Sequence, residues 1–227
     1  MTFLTHAIIP ARKGSKGFPN KNISLFNGKP LLAWSVQFAF SCSLIDNVYI
    51  TTDSTEYESI AMELGASSLG LRSAESSTDC ARDILFLSEH LRRLSSLGQN
   101  LPSTIVILRP TSPDRSIGDL FSALTYFRDN FHSIDSIRSV SIATETPYKM
   151  WKVNHDTKLM QPILGSLADD NFNSPRQELP AVYWQNGQFD VVKTSNIIQG
   201  SLLGDRVYPW ITSLRGRDVD SPSDLVS

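Results

Sequence analysis

Short apolar runs alternate along the chain with longer segments whose apolar residues recur at helical spacing. Residues 6–10 (HAIIP), 47–52 (NVYITT) and 104–108 (TIVIL) read as buried parallel strands, because each is apolar without the polar interruptions of a one-sided strand. The first hands over to a stretch rich in glycine and lysine. A helix is expected to begin near Pro30, a residue suited to the first helical position, and to run through Leu31, Trp34, Val36, Phe38 and Phe40. After the second strand, Asp53 with Glu56 three residues on makes a capping pair for a helix that ends before Gly65. Ile84, Leu87, Leu91 and Leu94 place another helix over residues 79–94. Ser116 and Asp119 cap one whose Ile117, Leu120, Phe121, Leu124 and Phe127 form a single stripe.

From Ser133 the alternation breaks into short β-like pieces around Val140, Trp151 and residues 182–184, separated by polar turns such as ADDNFNSP. That middle part, about residues 140–185, reads as an insertion. Residues 191–192 and 206–211 look like returning strands, and Ser221-Pro222 with Asp224 starts a last helix. Repeated βα units predict an α/β fold with a mostly parallel, Rossmann-like sheet and helices on both faces. Such sheets bind ligands at the carboxyl ends of their strands.

Composition narrows this picture. A chain of 227 residues with 41% hydrophobic content supports one α/β domain carrying an elaboration. The formal charge of −2 lacks the basic excess of a general nucleic-acid binder, so phosphate recognition must be local. No apolar stretch approaches the roughly 20 residues that span a bilayer, and the first six residues lack a secretory layout, so no membrane partner and a cytoplasmic location are expected. Cys42 and Cys80 have no CxxC spacing and read as reduced thiols. The four scattered histidines do not suggest zinc.

Three segments carry chemistry. Residues 10–22 (PARKGSKGFPNKN) place two glycines and the cations Arg12, Lys13, Lys16 and Lys21 in a short loop after a buried strand, a combination suited to a polyphosphate. The loop has neither P-loop nor dinucleotide-fold spacing, which leaves a solvated basic turn as its bland alternative. Residues 109–115 (RPTSPDR) put hydroxyls and two arginines at a second strand's carboxyl end, or else simply form a rigid turn. Asp218-Val219-Asp220 places two carboxylates at i and i+2, on one face if the segment is extended, where hard oxygen ligands can hold Mg²⁺.

The assembled pattern resembles the cytidylyltransferases that activate acidic sugars, above all the N-acylneuraminate (sialic acid) enzymes. The resemblance rests on IPAR-x-GSKG followed by Lys21-Asn22, on LxPTSPxR at residues 108–115, on RQELP at residues 176–180 with Asn186-Gly187, and on the closing D-V-D. It implies a sheet of nucleotide-sugar-transferase type, a homodimer formed partly by the insertion, and CMP transfer from CTP to an acidic sugar with Mg²⁺, for which Mn²⁺ can substitute. Arg12, Lys21 and Asp218 are implied as catalytic, and Asp218 with Asp220 as the metal ligands. Arg12, Gly14, Ser15, Lys16 and Asn22 would hold the nucleotide, with Arg72 and Ser73 near its base. Lys149, Arg176, Asn186, Arg109 and Asp190 fall at positions that line the sugar side.

Two of these depart from the resemblance. Many sialic-acid enzymes carry glutamine where Arg109 stands and tyrosine where Asp190 stands, so a legionaminic, keto-deoxynonulosonic or related acid becomes an alternative acceptor. A ketodeoxyoctonate cytidylyltransferase, a sugar-1-phosphate nucleotidyltransferase and a non-catalytic nucleotide-binding subunit are the rival readings.

Overall fold

The structure, a computed structural model, describes residues 3–14 and 17–225. Its strands are β1 (Thr5–Pro10), β2 (Leu25–Phe26), β3 (Lys29–Pro30), β4 (Asn47–Thr51), β5 (Ser67–Ser68), β6 (Thr104–Ile107), β7 (Ser136–Ile142), β8 (Trp151–Val153), β9 (Met160–Pro162), β10 (Tyr183–Lys193) and β11 (Val207–Ile211). The helices are α1 (Leu31–Phe40), α2 (Thr55–Glu63), α3 (Asp83–Ser96), α4 (Ile117–Asp129) and α5 (Thr194–Ile198). Seven strands form one sheet in the order β11-β7-β10-β6-β1-β4-β5. The β1–β4, β1–β6, β4–β5 and β7–β11 pairs are parallel, whereas β10 runs antiparallel to both β6 and β7.

The uniformly apolar strands follow from burial on both faces. Ala7, Ile9, Val48, Ile50 and Val106 pack on one side against α1, α2 and α4, while Ile8, Tyr49, Ile105 and Ile107 pack on the other against α3 and α5. Among the described residues no helix is long and apolar enough to cross a membrane.

Local signals misjudged several boundaries. The cap of α2 is Ser54, whose hydroxyl accepts from the Tyr57 amide; Asp53 instead accepts from the Lys13 amide at 2.7 Å, serving the glycine loop. Helix α3 begins at Asp83, four residues later than its periodicity suggested, which leaves Thr78 to Arg82 as loop beside the strand ends. Pro30 caps α1 from outside. On α4, Leu120, Leu124 and Phe127 are buried but Ile117 and Phe121 are exposed, so the stripe is narrower than expected. The last segment makes a 3₁₀ turn at Pro222–Leu225.

The largest correction concerns the far side of the sheet. The piece around Val140 belongs to the main sheet as β7, and residues 183–184 and 191–192 join into one eleven-residue strand, β10, with Val182 just before it. Its register against β7 shifts between Gln185 and Asp190. Gly187 sits in that irregularity with φ of +71°, and a Cβ there would come within 2.8 Å of the Ser112 hydroxyl, so both backbone and space demand glycine. Between β7 and β10, the β8–β9 hairpin and several 3₁₀ turns stand outside the seven-stranded sheet.

Candidate active site

The loops that leave the carboxyl ends of β1, β5 and β6 converge on a cleft of about 200 Å³. Arg12, Lys21, Asn22, Arg72 and Arg109 line it, so five of the residues singled out in the sequence meet in one place. Arg12 follows β1. Its Nη1 donates to the Gly14 carbonyl at 3.2 Å and also pairs with Asp79 on the loop before α3. Asn22, nearly buried, donates from Nδ2 to the Arg12 carbonyl at 2.9 Å and so fixes the turn on which Arg12 sits. Ser15 and Lys16 lie outside the described residues.

Arg72 is held on three counts. Its amide donates to the Thr52 carbonyl at 2.8 Å, its Nε donates to the Thr51 hydroxyl at 2.9 Å, and its guanidinium lies 4.3 Å from the centre of the Phe86 ring. Burial lowers its pKa to about 10, against the pull of Asp53, Asp83 and Glu89, and it remains charged at neutral pH. Ser73 does not enter the cleft: its amide and hydroxyl both donate to Glu89, and the serine that lines the cleft is Ser76.

Arg109 donates from Nη1 to Asp190 at 2.8 Å and from Nη2 to Asp83. Burial works against its charge, yet the two carboxylates outweigh this and raise its pKa above the ordinary arginine value. Arg115 has a different task. Its Nε donates to the Gln188 carbonyl at 2.6 Å, and its other nitrogens donate to the Ser35 hydroxyl and the Arg109 carbonyl. Burial, with repulsion from Arg109, pushes its pKa down to about 9, and the side chain pins the proline-rich loop to the sheet.

The Asp218–Asp220 segment lies along that same loop. The Val219 amide donates to the Thr111 carbonyl at 2.8 Å, and Val219 is fully buried beside Phe26 and Leu31. Both aspartates are exposed while Val219 is buried, so the two carboxylates do share a face. Lys21 Nζ reaches Asp220 Oδ1 at 3.0 Å, and the Thr111 hydroxyl bonds Asp218. Protein packed against one side of the Asp218 carboxylate raises its pKa above the usual aspartate range, and Asp220 adds to the effect. The Thr111 hydroxyl, Lys21 and Arg109 act in the opposite sense. Among the described residues no group of three or more His, Cys, Asp or Glu converges. The pair therefore offers two hard oxygen ligands and leaves the rest of a coordination shell to water and phosphate, an arrangement that suits Mg²⁺.

Four residues assigned to the sugar side stand apart from the cleft. Lys149 and Arg176 are exposed on the segment between β7 and β10, where Arg176 donates to the Ala143 carbonyl at 3.2 Å. Asn186 is fully buried, and its amide clamps the Ser141 and Thr212 hydroxyls at 2.8 and 2.7 Å. Asp190 is also fully buried and spends its carboxylate on Arg109 and Arg138. Direct sugar contact by Asn186 and Asp190 is thus corrected to a supporting role in β10. Thr111, one of the hydroxyls of the 109–115 loop, lines the cleft as well, whereas Phe86 and Asp83 line it but were missed. Phe86 looked like one more apolar helix position, and Asp83 like an interior residue of a longer helix.

Residues 6–158 match the family model described as Cytidylyltransferase. The chain belongs to the cytidylyltransferase family. The matched span carries the glycine loop, Arg72 and the 109–115 loop, which supply most of the cleft. The N-acylneuraminate cytidylyltransferase of Streptococcus agalactiae serotype V is 30% identical over 223 residues, covering 96% of this cytidylyltransferase chain and 51% of that protein. The chain thus spans about half the length of the streptococcal relatives it matches. The CMP-N,N'-diacetyllegionaminic acid synthase of Legionella pneumophila is 28% identical over 221 residues, covering 96% of this chain and 91% of that one. A solved CMP:2-keto-3-deoxy-manno-octonic acid synthetase complexed with CTP superposes with a TM-score of 0.71 at 17% identity, covering 98% and 95% of the two chains, a likeness of fold.

Proposed function

We propose that this protein transfers CMP from CTP to the anomeric hydroxyl of a sialic-acid-like nonulosonic acid, releasing pyrophosphate. The observation that carries the reading is the convergence of Arg12, Lys21, Arg72 and Arg109 on one cleft, with Asp218 and Asp220 joined to it through Thr111 and Lys21. Four cations in a cleft of that size suit a triphosphate better than a neutral ligand. Relatives named for sialic, legionaminic and pseudaminic acids support the acceptor class.

In this reading Arg12 and Lys21 exchange Asp79 and Asp220 for phosphate oxygens. Their charge then stabilises the negative charge that builds on the phosphates as the acceptor oxygen bonds to the α-phosphorus in line and the bond to pyrophosphate breaks. The hydroxyl proton passes to solvent in the net reaction. Release of Asp220 from Lys21 frees the carboxylate pair to hold Mg²⁺ or Mn²⁺, which when bound would neutralise phosphate charge and orient the α-phosphate. Met150, Leu159, Met160, Ile163 and Leu167 expose apolar surface between β7 and β10, and a homodimer would cover it. Use of CTP fits a cytoplasmic enzyme.

The test supplies CTP, Mg²⁺ and a panel of free nonulosonic acids and measures pyrophosphate release. Acid-dependent release is expected with at least one of them. CTP binding without release under every condition would instead favour a non-catalytic nucleotide-binding subunit.

A further inference from the structure

Among the described residues, Arg72 and Phe86 line both the cleft and a second, smaller hollow behind it, so the Arg72 side chain stands in the wall between the two. Phe86 covers one face of its guanidinium, and the Thr51 hydroxyl takes Nε. Of its two terminal nitrogens, Nη2 is buried with no hydrogen-bond partner, which leaves Nη1 as the one that can meet a ligand in the cleft. A guanidinium is planar and rigid, so whatever holds Nη2 also aims Nη1.

His90 lies one helical turn beyond Phe86 on the same face of α3 and lines the hollow. It is 4% exposed, and its Nε2 is likewise buried without a partner. Tyr49 packs against its ring edge-on, with centroids 4.8 Å apart, so packing fixes the imidazole. The other cation on the hollow, Arg93, spends its terminal nitrogens on the Leu69, Gly70 and Leu71 carbonyls and on Glu89. The hollow measures about 10 Å³, the room that one water molecule needs. A buried donor and a buried acceptor are both costly when unpaired, and one bridging water satisfies both: the Arg72 N–H donates to it, and it donates to the imidazole. Burial lowers the His90 pKa to about 3, so the ring is neutral and able to accept at neutral pH.

We propose that His90 is a positioning residue for nucleotide binding: through one water in this hollow its Nε2 holds Arg72 Nη2, and so aims Arg72 Nη1 into the cleft. His90 touches no substrate and acts through Arg72 alone. The inference rests on the reading that the cleft receives CTP, and adds what fixes the arginine that meets it.

The experiment compares the full chain with His90→Leu, which removes the acceptor, and His90→Gln, which restores one in its amide oxygen. CTP affinity is measured by titration calorimetry, pyrophosphate release is followed with CTP and then the acid varied, and thermal melting at pH 7 checks the fold. His90→Leu should weaken CTP binding and raise KM for CTP about fivefold, the worth of one hydrogen bond, while KM for the acid stays within about twofold. His90→Gln should recover most of the loss. Arg72→Gln should weaken CTP binding further, and adding His90→Leu to it should change nothing more. Nitrogen-15 spectra of the unsubstituted protein, which need no variant to fold, should show His90 protonated on Nδ1 alone at pH 7. A proton on Nε2, unchanged CTP affinity in a folded His90→Leu, or a His90→Gln no better than His90→Leu would each overturn the proposal. If the unsubstituted chain binds CTP but releases no pyrophosphate with any acid, the CMP-transfer reading falls while the calorimetric comparison still decides this inference. Failure to bind CTP at all would overturn both.

Discussion

The two halves of the sheet handle charge in opposite ways. On the side proposed to hold the nucleotide, called the nucleotide side below with the other called the acceptor side, Lys21 pairs with Asp220, which is 78% exposed, and Arg12 pairs with Asp79 on an open loop. On the acceptor side, Arg109 and Arg138 share Asp190, which is 1% exposed. Exposed pairs contribute little and exchange readily, whereas a buried carboxylate between two arginines is a permanent part of the fold. In the proposed reading the first side trades partners with an arriving ligand, and the second holds a shape that the acceptor meets ready-made.

Removing the permanent partner is the severest way to break that contrast. Asp190→Ala leaves two guanidiniums without their shared counter-ion and should cost about 3–5 kcal/mol of stability, read as a fall in denaturant midpoint. A midpoint close to that of the unsubstituted protein would show that the acceptor side is no more fixed than the nucleotide side. Lys21→Ala should behave in the reverse manner. Turnover should fall by about two orders of magnitude, or about 3 kcal/mol of transition-state stabilisation, with little change in melting. Full turnover in this variant would remove Lys21 from the reacting phosphates.

Acid should weaken the halves in different windows. His6 and His90 are buried against Tyr49 under the nucleotide side, and burial lowers their pKa values to about 4 and about 3. The unfolded chain therefore binds more protons than the folded one below the ordinary histidine value of about 6.5. Stability is complete above that pH and falls as pH drops towards 4, by up to about 1.4 kcal/mol per pH unit for each histidine. On the acceptor side, hydrogen bonds from Arg206 and Lys193 hold Asp135 well below the usual carboxylate range, with the Arg206 side chain the largest influence. Its contribution is present above about pH 4 and lost only as pH falls further. Urea midpoints measured from pH 7 to 4 should slope in the unsubstituted protein and slope about half as steeply in a His90→Leu variant, where His6 alone remains. The smallest effect belongs to Ser73→Ala, under about 1 kcal/mol with KM for CTP unchanged, because its side chain bonds Glu89 and Ser76 and does not itself line the cleft.

The same contrast explains what could be read in the sequence. PARKGSKG, RPTSPDR and DVD each follow a single strand along the chain, so each carried strand, turn and chemistry within a short stretch of sequence. The acceptor side depends on cross-strand neighbours. Nothing local to Asp190 or Arg138, 52 positions apart, announces that they bond. Arg109 and Asp190 stood out as two separate departures from the relatives' pattern, and only the fold shows them as partners. Asp53 was assigned to a helix start by capping and Asp79 by apolar periodicity, both local rules. Tertiary bonds to the glycine loop claimed both side chains instead.

Strand β10 also bears on how the chain reaches this form. It lies between β6 and β7 in space yet follows both in sequence, and its Asp190 pairs with Ile107 across 83 intervening steps of chain. Until β10 arrives, β6 presents an unpaired edge of four buried-type residues and β7 has no neighbour linking it to the nucleotide side. A half-sheet that lacks β10 has an open edge able to recruit another chain, a window for aggregation. The strand that aligns the acceptor side is also the one that closes this window for aggregation.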